Sequence, residues 1–232
     1  MTLHLFNNLK ERDKSESIKD LIADSSPRQD FFLMVILSVL MASFGLLIDD
    51  TAVIIGSMLV APILSPVLSL SLGIVIADYR LISRSFYTIL KSVIFGIISA
   101  TLVTWLFNFN SNYHETASII ARTKPSLIYA SIAFVAGLAA SFARIKPQLS
   151  ETLPGVAISV ALIPPIAVTG IGMAHLDWNV ISGSFLLFFL NTMGIVFASM
   201  IVFSLMNLYV KKKIIDRAIK KEEAALEAEK NK

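Results

Sequence analysis

Long apolar runs separated by short polar clusters set the organisation of the chain. Six of them, at about 31–48, 51–77, 86–107, 126–142, 152–174 and 180–209, approach the length of roughly 20 residues that a helix needs to cross a bilayer. The pattern predicts an all-α polytopic membrane protein with about six transmembrane helices, its membrane domain covering 31–209. Residues 1–30 form a polar N-terminal segment in which Ile18, Leu21 and Ile22 fall at helical spacing. That segment reads either as a short amphipathic helix on the membrane surface or as a solvated tail. Residues 210–232, opening on Lys211-Lys212-Lys213 and free of Gly and Pro, read as a helical tail. Its charges suggest a solvated face, and Ile215 and Ile219 offer a seam for pairing between subunits.

Two of the runs are interrupted. The second contains Ala61-Pro62-Ile63-Leu64-Ser65-Pro66, and each proline removes a helix hydrogen bond and clashes with the preceding turn. In lipid, the carbonyls so freed need partners, which confines such breaks to places surrounded by protein or by a water-filled cavity. The fifth run carries Pro164-Pro165. Aligned without gaps, Val53 to Ile63 and Val156 to Ile166 are identical at five of eleven positions, Pro62 with Pro165 among them. With six spans these two segments run in opposite directions. The expectation is a 3+3 inverted repeat with proline-broken helices two and five, an arrangement in which transporters place a substrate or ion between paired breaks.

Charge supplies an orientation. The connections holding Arg80 and Arg84, Arg144 and Lys146, and the tail are basic, whereas those at Asp49-Asp50 and at His175 to Asp177 have no Lys or Arg. By the positive-inside rule both termini are cytoplasmic, in a prokaryotic inner membrane, with Arg122 and Lys124 as the discordant outside charges. The first 30 residues lack the apolar core and cleavage site of a signal peptide, so the first span is expected to remain in the mature protein. The net charge of +3 is no nucleic-acid signal, because the basic residues flank spans. The absence of cysteine excludes disulfides and thiolate metal sites.

Three stretches carry a resemblance: VIIGSMLVAPILSPVLSLSLGIVIAD, LPGVAISVALIPPIAVTGIGMA, and LFFLNTMGIVFASMIVF around Asn191. Over about 31–209 the chain resembles the family catalogued as domain of unknown function 389, hydrophobic membrane proteins of bacteria and archaea. The resemblance implies a polytopic membrane protein and leaves its activity open. Many members carry an additional soluble region, beside which this chain reads as a short form.

Candidate chemistry gathers at the breaks. Ser57, Ala61, Pro62, Ser65 and Pro66, with Ser69 and Ser71 beyond them, face the corresponding Pro164, Pro165 and Thr169 in the proposed repeat. Hydroxyls and exposed carbonyls suit a cation or small polar substrate, and half-helix N-termini suit anions; the competing reading is that each serine bonds its own helix carbonyls or a neighbouring helix. Asn191, the one side-chain amide deep in span six, either ties that helix to opened backbone or touches substrate. Asp49 and Asp50 read as a helix cap or as a pair sharing a proton or cation. Asp78 and Glu151 read as boundary charges or caps. His4, His114 and His175 lack ligand spacing, and neither a nucleophile–base motif nor a phosphate-binding glycine loop is present. No metal, cofactor or enzymatic activity is expected. The leading expectation is a transporter or channel-like protein for an ion or small polar solute. The alternative is a non-transporting scaffold or sensor assembling through small-residue faces such as Gly194 and Ala198. Either would sit in the bilayer as a homo-oligomer, by default a dimer.

Overall fold

A computed structural model describes residues 11–108, 115–146, 149, 162–208 and 212–230. Within them the chain is all helix: α1 Glu11–Asp24, α2 Gln29–Leu47, α3 Thr51–Val60, α4 Leu64–Ile76, α5 Tyr79–Asn108, α6 Ala117–Ile120, α7 Leu127–Ile145, α8 Ile163–His175, α9 Trp178–Leu205 and α10 Lys212–Lys230. Four of these (α2, α5, α7 and α9) are long and apolar enough to span a membrane, and α3 with α4, bent by 51° at their break, pass the same test together, as a broken span or a re-entrant loop. Of the expected fifth span at 152–174, only the part from Leu162 onward lies in the described residues. The helix there, α8, has 13 residues and rises about 20 Å, short of a bilayer's width.

Pairwise contacts give the directions. Phe32 packs edge-on against Phe95 at 5.5 Å and Phe44 against Phe107 at 5.4 Å, so α2 and α5 run parallel. A Cβ on Gly96 would touch Ile166 at 2.7 Å, and one on Gly170 would stand 2.8 Å from Ile97 O, which makes α8 parallel to α5. Ser141 Oγ donates to Ser199 Oγ at 2.7 Å, and Gly137 faces Ile195 and Ala198 while Gly194 faces Ala133, so α7 and α9 run parallel. The small residues of both helices let their backbones approach. Gly194 and Ala198, expected on an oligomer face, are therefore spent inside the chain.

Three hairpins share one local device. In each, a glycine lies five residues before an aspartate and nine before an isoleucine: Gly45, Asp50 and Ile54; Gly73, Asp78 and Ile82; Gly172, Asp177 and Ile181. The aspartate N–H donates back to the glycine carbonyl, at 2.8, 3.0 and 3.0 Å respectively. The residue between helices is left-handed, at Asp49 (φ 57°), Ala77 (φ 54°) and Leu176 (φ 56°). The aspartate carboxylate then caps the next helix, Asp50 accepting from Ala52 and Val53, Asp78 from Arg80 and Leu81, Asp177 from Asn179 and Val180. The glycine gives room for the returning helix: a Cβ on Gly45 or Gly73 would meet the isoleucine backbone N at 3.0 Å. Asp78 is 6% exposed, so Asp78→Ala is expected to cost about 1–2 kcal/mol, read as a lowered melting temperature in detergent.

The terminal helices meet at one end of the bundle. Ile18, Leu21 and Ile22 are fully buried, α1 packing on α4, α7 and α10. The α1 helix is thus docked on the bundle by its apolar face. The α10 helix spends Ile219, fully buried, inside the chain against α1, where the sequence offered it as a seam between subunits; the Ile215 side chain lies outside the described residues. At the opposite end Thr116 Oγ1 donates to Leu46 O at 2.8 Å and Ser118 N to Asp49 at 3.0 Å. These bonds tie α6 to the α2–α3 turn, and the Ser118 side chain together with this backbone bond holds the Asp49 carboxyl below its ordinary pKa.

The candidate site at the helix breaks

At the first break, α3 ends at Val60, Ala61 is extended (ψ 124°), and α4 restarts at Leu64. Pro66 has no N–H to offer Pro62 O, and Ser65 N supplies one at 3.3 Å. Ser57 Oγ donates to Ile54 O within its own helix, while Ser57 O accepts from Ser38 Oγ, both at 2.6 Å. The break thus keeps α3 sewn to α2. Ser69 Oγ lies 3.0 Å from Ser25 Oγ and 3.3 Å from Leu21 O, and Ser71 bonds Val67 O.

Pro62 and Ser65 line a pocket of about 220 Å³ together with Asp24, Ser26, Arg28, Asp30, Phe31 and Met34, room for about seven waters at their liquid volume. It lies at the end where α1 docks, and its lining mixes the apolar Phe31 and Met34 with the charged Asp24, Arg28 and Asp30. Among the described residues Pro164 and Pro165 do not line it; both are buried in the packed start of α8. The structure therefore brings Pro62 and Ser65 to one opening and keeps Pro164, Pro165 and Thr169 inside.

Thr169 Oγ1 donates to Pro165 O at 2.8 Å and meets Ser184 Oγ at 2.9 Å. This contact fixes the register of the antiparallel α8 and α9. Ile163, six residues before Thr169, and Asn191, seven beyond Ser184 on the same face of α9, are each about 10 Å further along. Asn191 thus stands level with the start of α8, on a helix that also packs against α4. It is 5% exposed, and its Oδ1 has no hydrogen-bond partner among the described residues. An unmatched amide oxygen there costs about 1–3 kcal/mol. Ser85 Oγ and Thr104 Oγ1 on α5 are also buried without partners among those residues.

The aligned segment Val156 to Ala161 lies outside the described residues, as do Glu151, His4 and His114. Where both halves are described, the correspondence differs from Pro62 with Pro165. The helices α4 and α8 each have 13 residues, with Pro66 and Pro165 third and Gly73 and Gly172 tenth; each is followed by a left-handed residue and a capping aspartate. Val, Ile, Leu and Ala match cheaply in either register, whereas the Gly-x4-Asp-x3-Ile spacing sets Pro66 beside Pro165 when these two hairpins are compared. No group of three or more His, Cys, Asp or Glu able to hold a metal occurs among the described residues.

A family model described as a domain of unknown function, DUF389, matches residues 58–197, from inside α3 to the middle of α9. The chain belongs to the DUF389 family. It is similar to an uncharacterised protein of Methanocaldococcus jannaschii, 33% identical over 195 residues, which cover 83% of this chain and 58% of that relative. The DUF389 chain thus spans under two thirds of the curated relative it matches. No solved structure matches it.

Proposed function

We propose that this DUF389 protein passes an ion or small polar solute across the membrane, with the helix breaks and Asn191 forming its path. The observation that carries the reading is the Asn191 amide: buried, unmatched at Oδ1 among the described residues, and level with the start of a half-length helix. A costly acceptor held there suits a transient ligand that supplies the missing donor or cation. Among the described residues Pro62 and Ser65 open to a pocket at the end where α1 docks.

The matched hairpins α4–α5 and α8–α9, pointing in opposite directions, support an inverted repeat in which Pro66 corresponds to Pro165. Arg80, Arg84, Arg144 and Lys146 lie at the end where α1 and α10 dock, which supports cytoplasmic termini. Purified protein in liposomes should conduct a small ion or solute, and Pro62→Ala, Ser65→Ala and Asn191→Ala should each lower the flux by roughly ten-fold or more without loss of folded protein. Undiminished flux in all three would end the assignment.

The second reading, a membrane scaffold or sensor, is favoured by the hydroxyls of Ser57, Ser71 and Thr169, each bonded to its own helix. In that case the breaks serve packing alone, and wild-type liposomes carry no flux.

A further inference from the structure

We propose that α1 is a lid over the α4 side of the first helix break, and that α10 latches it closed through Glu222. This rests on reading the Pro62–Ser65 pocket as the mouth of the path. Asp24 and Ser26, at and just past the end of α1, form one wall of that pocket, and Ser69, one turn beyond Ser65, is fully buried beneath Leu21 and Ser25.

Beside its buried apolar face the lid is held by polar ties, among them Lys14 Nζ to Met206 O at 3.3 Å and Thr88 Oγ1 of α5 to Ser25 O at 3.4 Å. Ser26 Oγ donates to Glu222 Oε2 of α10 at 2.9 Å. Arg84 of α5 donates from Nη2 to Ser26 Oγ and to Ile22 O, and Arg144 of α7 pairs with Asp24. Ser17 donates to Ile145 O at 3.2 Å. Ser26 is the node, touching the pocket, the latch and α5 at once. The apolar anchorage of α1 is three side chains, Ile18, Leu21 and Ile22, each fully buried.

Two features make the closed position shallow. The Nε and Nη1 of Arg84 are buried without partners among the described residues, a cost of closure that opening to water removes. Between α1 and α10 runs a groove of about 630 Å³ lined by Glu16, Lys19, Asp20, Arg217, Lys221 and Glu222, among others, a charged and loosely filled seam of the kind that separates. Only Ala218 and Ile219 of α10 are buried among its described side chains. Releasing Glu222 therefore frees the α10 side of the lid and leaves the membrane helices as they are.

The chain has no cysteine, so Ser69→Cys makes a single thiol under the lid. In full-length protein in liposomes, a membrane-impermeant maleimide should label it slowly, through transient opening. Adding Glu222→Gln or Ser26→Ala should accelerate labelling about ten-fold, while Lys19→Gln, on the groove rim, should leave the rate unchanged. Thr104→Cys, fully buried in α5, should stay unlabelled with either latch substitution. Equal rates with and without Glu222→Gln would overturn the proposal, as would labelling at position 104 in step with 69, which reports general unfolding. The readout needs no solute. A lid that moves in a protein without flux leaves this inference standing and removes only the transport reading, whereas a fixed lid removes only the inference.

Discussion

Asn191→Leu is expected to melt a few degrees higher than the native protein while losing solute flux by roughly ten-fold or more. The two side chains are close in size, so the substitution leaves no large cavity. What changes is the fate of the amide oxygen, buried without a partner among the described residues. Removing an unmatched buried acceptor for an apolar group of similar shape is neutral to stabilising, by about 1 kcal/mol. A residue kept for packing would move the other way, its loss destabilising the fold. Thermal denaturation in detergent beside flux in liposomes separates the cases, because only a functional amide gives opposite signs in the two.

Gly170→Val should destabilise by about 3 kcal/mol, the upper range for overpacking a filled core. Gly170 lies where α8 crosses α5 most closely: its carbonyl accepts from Thr101 Oγ1 at 3.0 Å, and a Cβ there would stand 2.8 Å from Ile97 O and run into Ala100. The obstruction includes helix backbone, which side-chain rotation cannot relieve. Gly56→Ala is the matched control, because a Cβ on Gly56 meets nothing within 4 Å and alanine improves the helix by about 0.5–1 kcal/mol. Equal melting shifts in the two variants would contradict the α8–α5 packing.

The long apolar runs were legible because a bilayer leaves the backbone few choices, and α2, α5, α7 and α9 follow them. Proline chemistry placed the break between Val60 and Leu64 correctly. Less of the arrangement around it could be read. The serines gave the composition of a polar site, yet helix carbonyls one turn away compete for their hydroxyls, and Ser57 and Ser71 bond there. The pairing of Pro62 with Pro165 rests on apolar residue types that are nearly interchangeable in lipid, whereas the thrice-repeated Gly, Asp and Ile spacing marks three hairpin turns in the sequence itself. Ile18, Leu21 and Ile22 announced an amphipathic helix, but a periodicity states which face is apolar and not what covers it. The Arg84, Ser26 and Glu222 node joins residues far apart in the chain, and no local pattern marks it.

The central claim is that solute reaches the level of Asn191, and access to that position tests it most directly. Asn191→Cys gives a single thiol in a chain that has none. A small, membrane-impermeant thiol reagent should modify it when added to either side of oriented liposomes, because the account requires the site to face each solution in turn. A thiol that stays unmodified from both sides in folded protein would contradict the account.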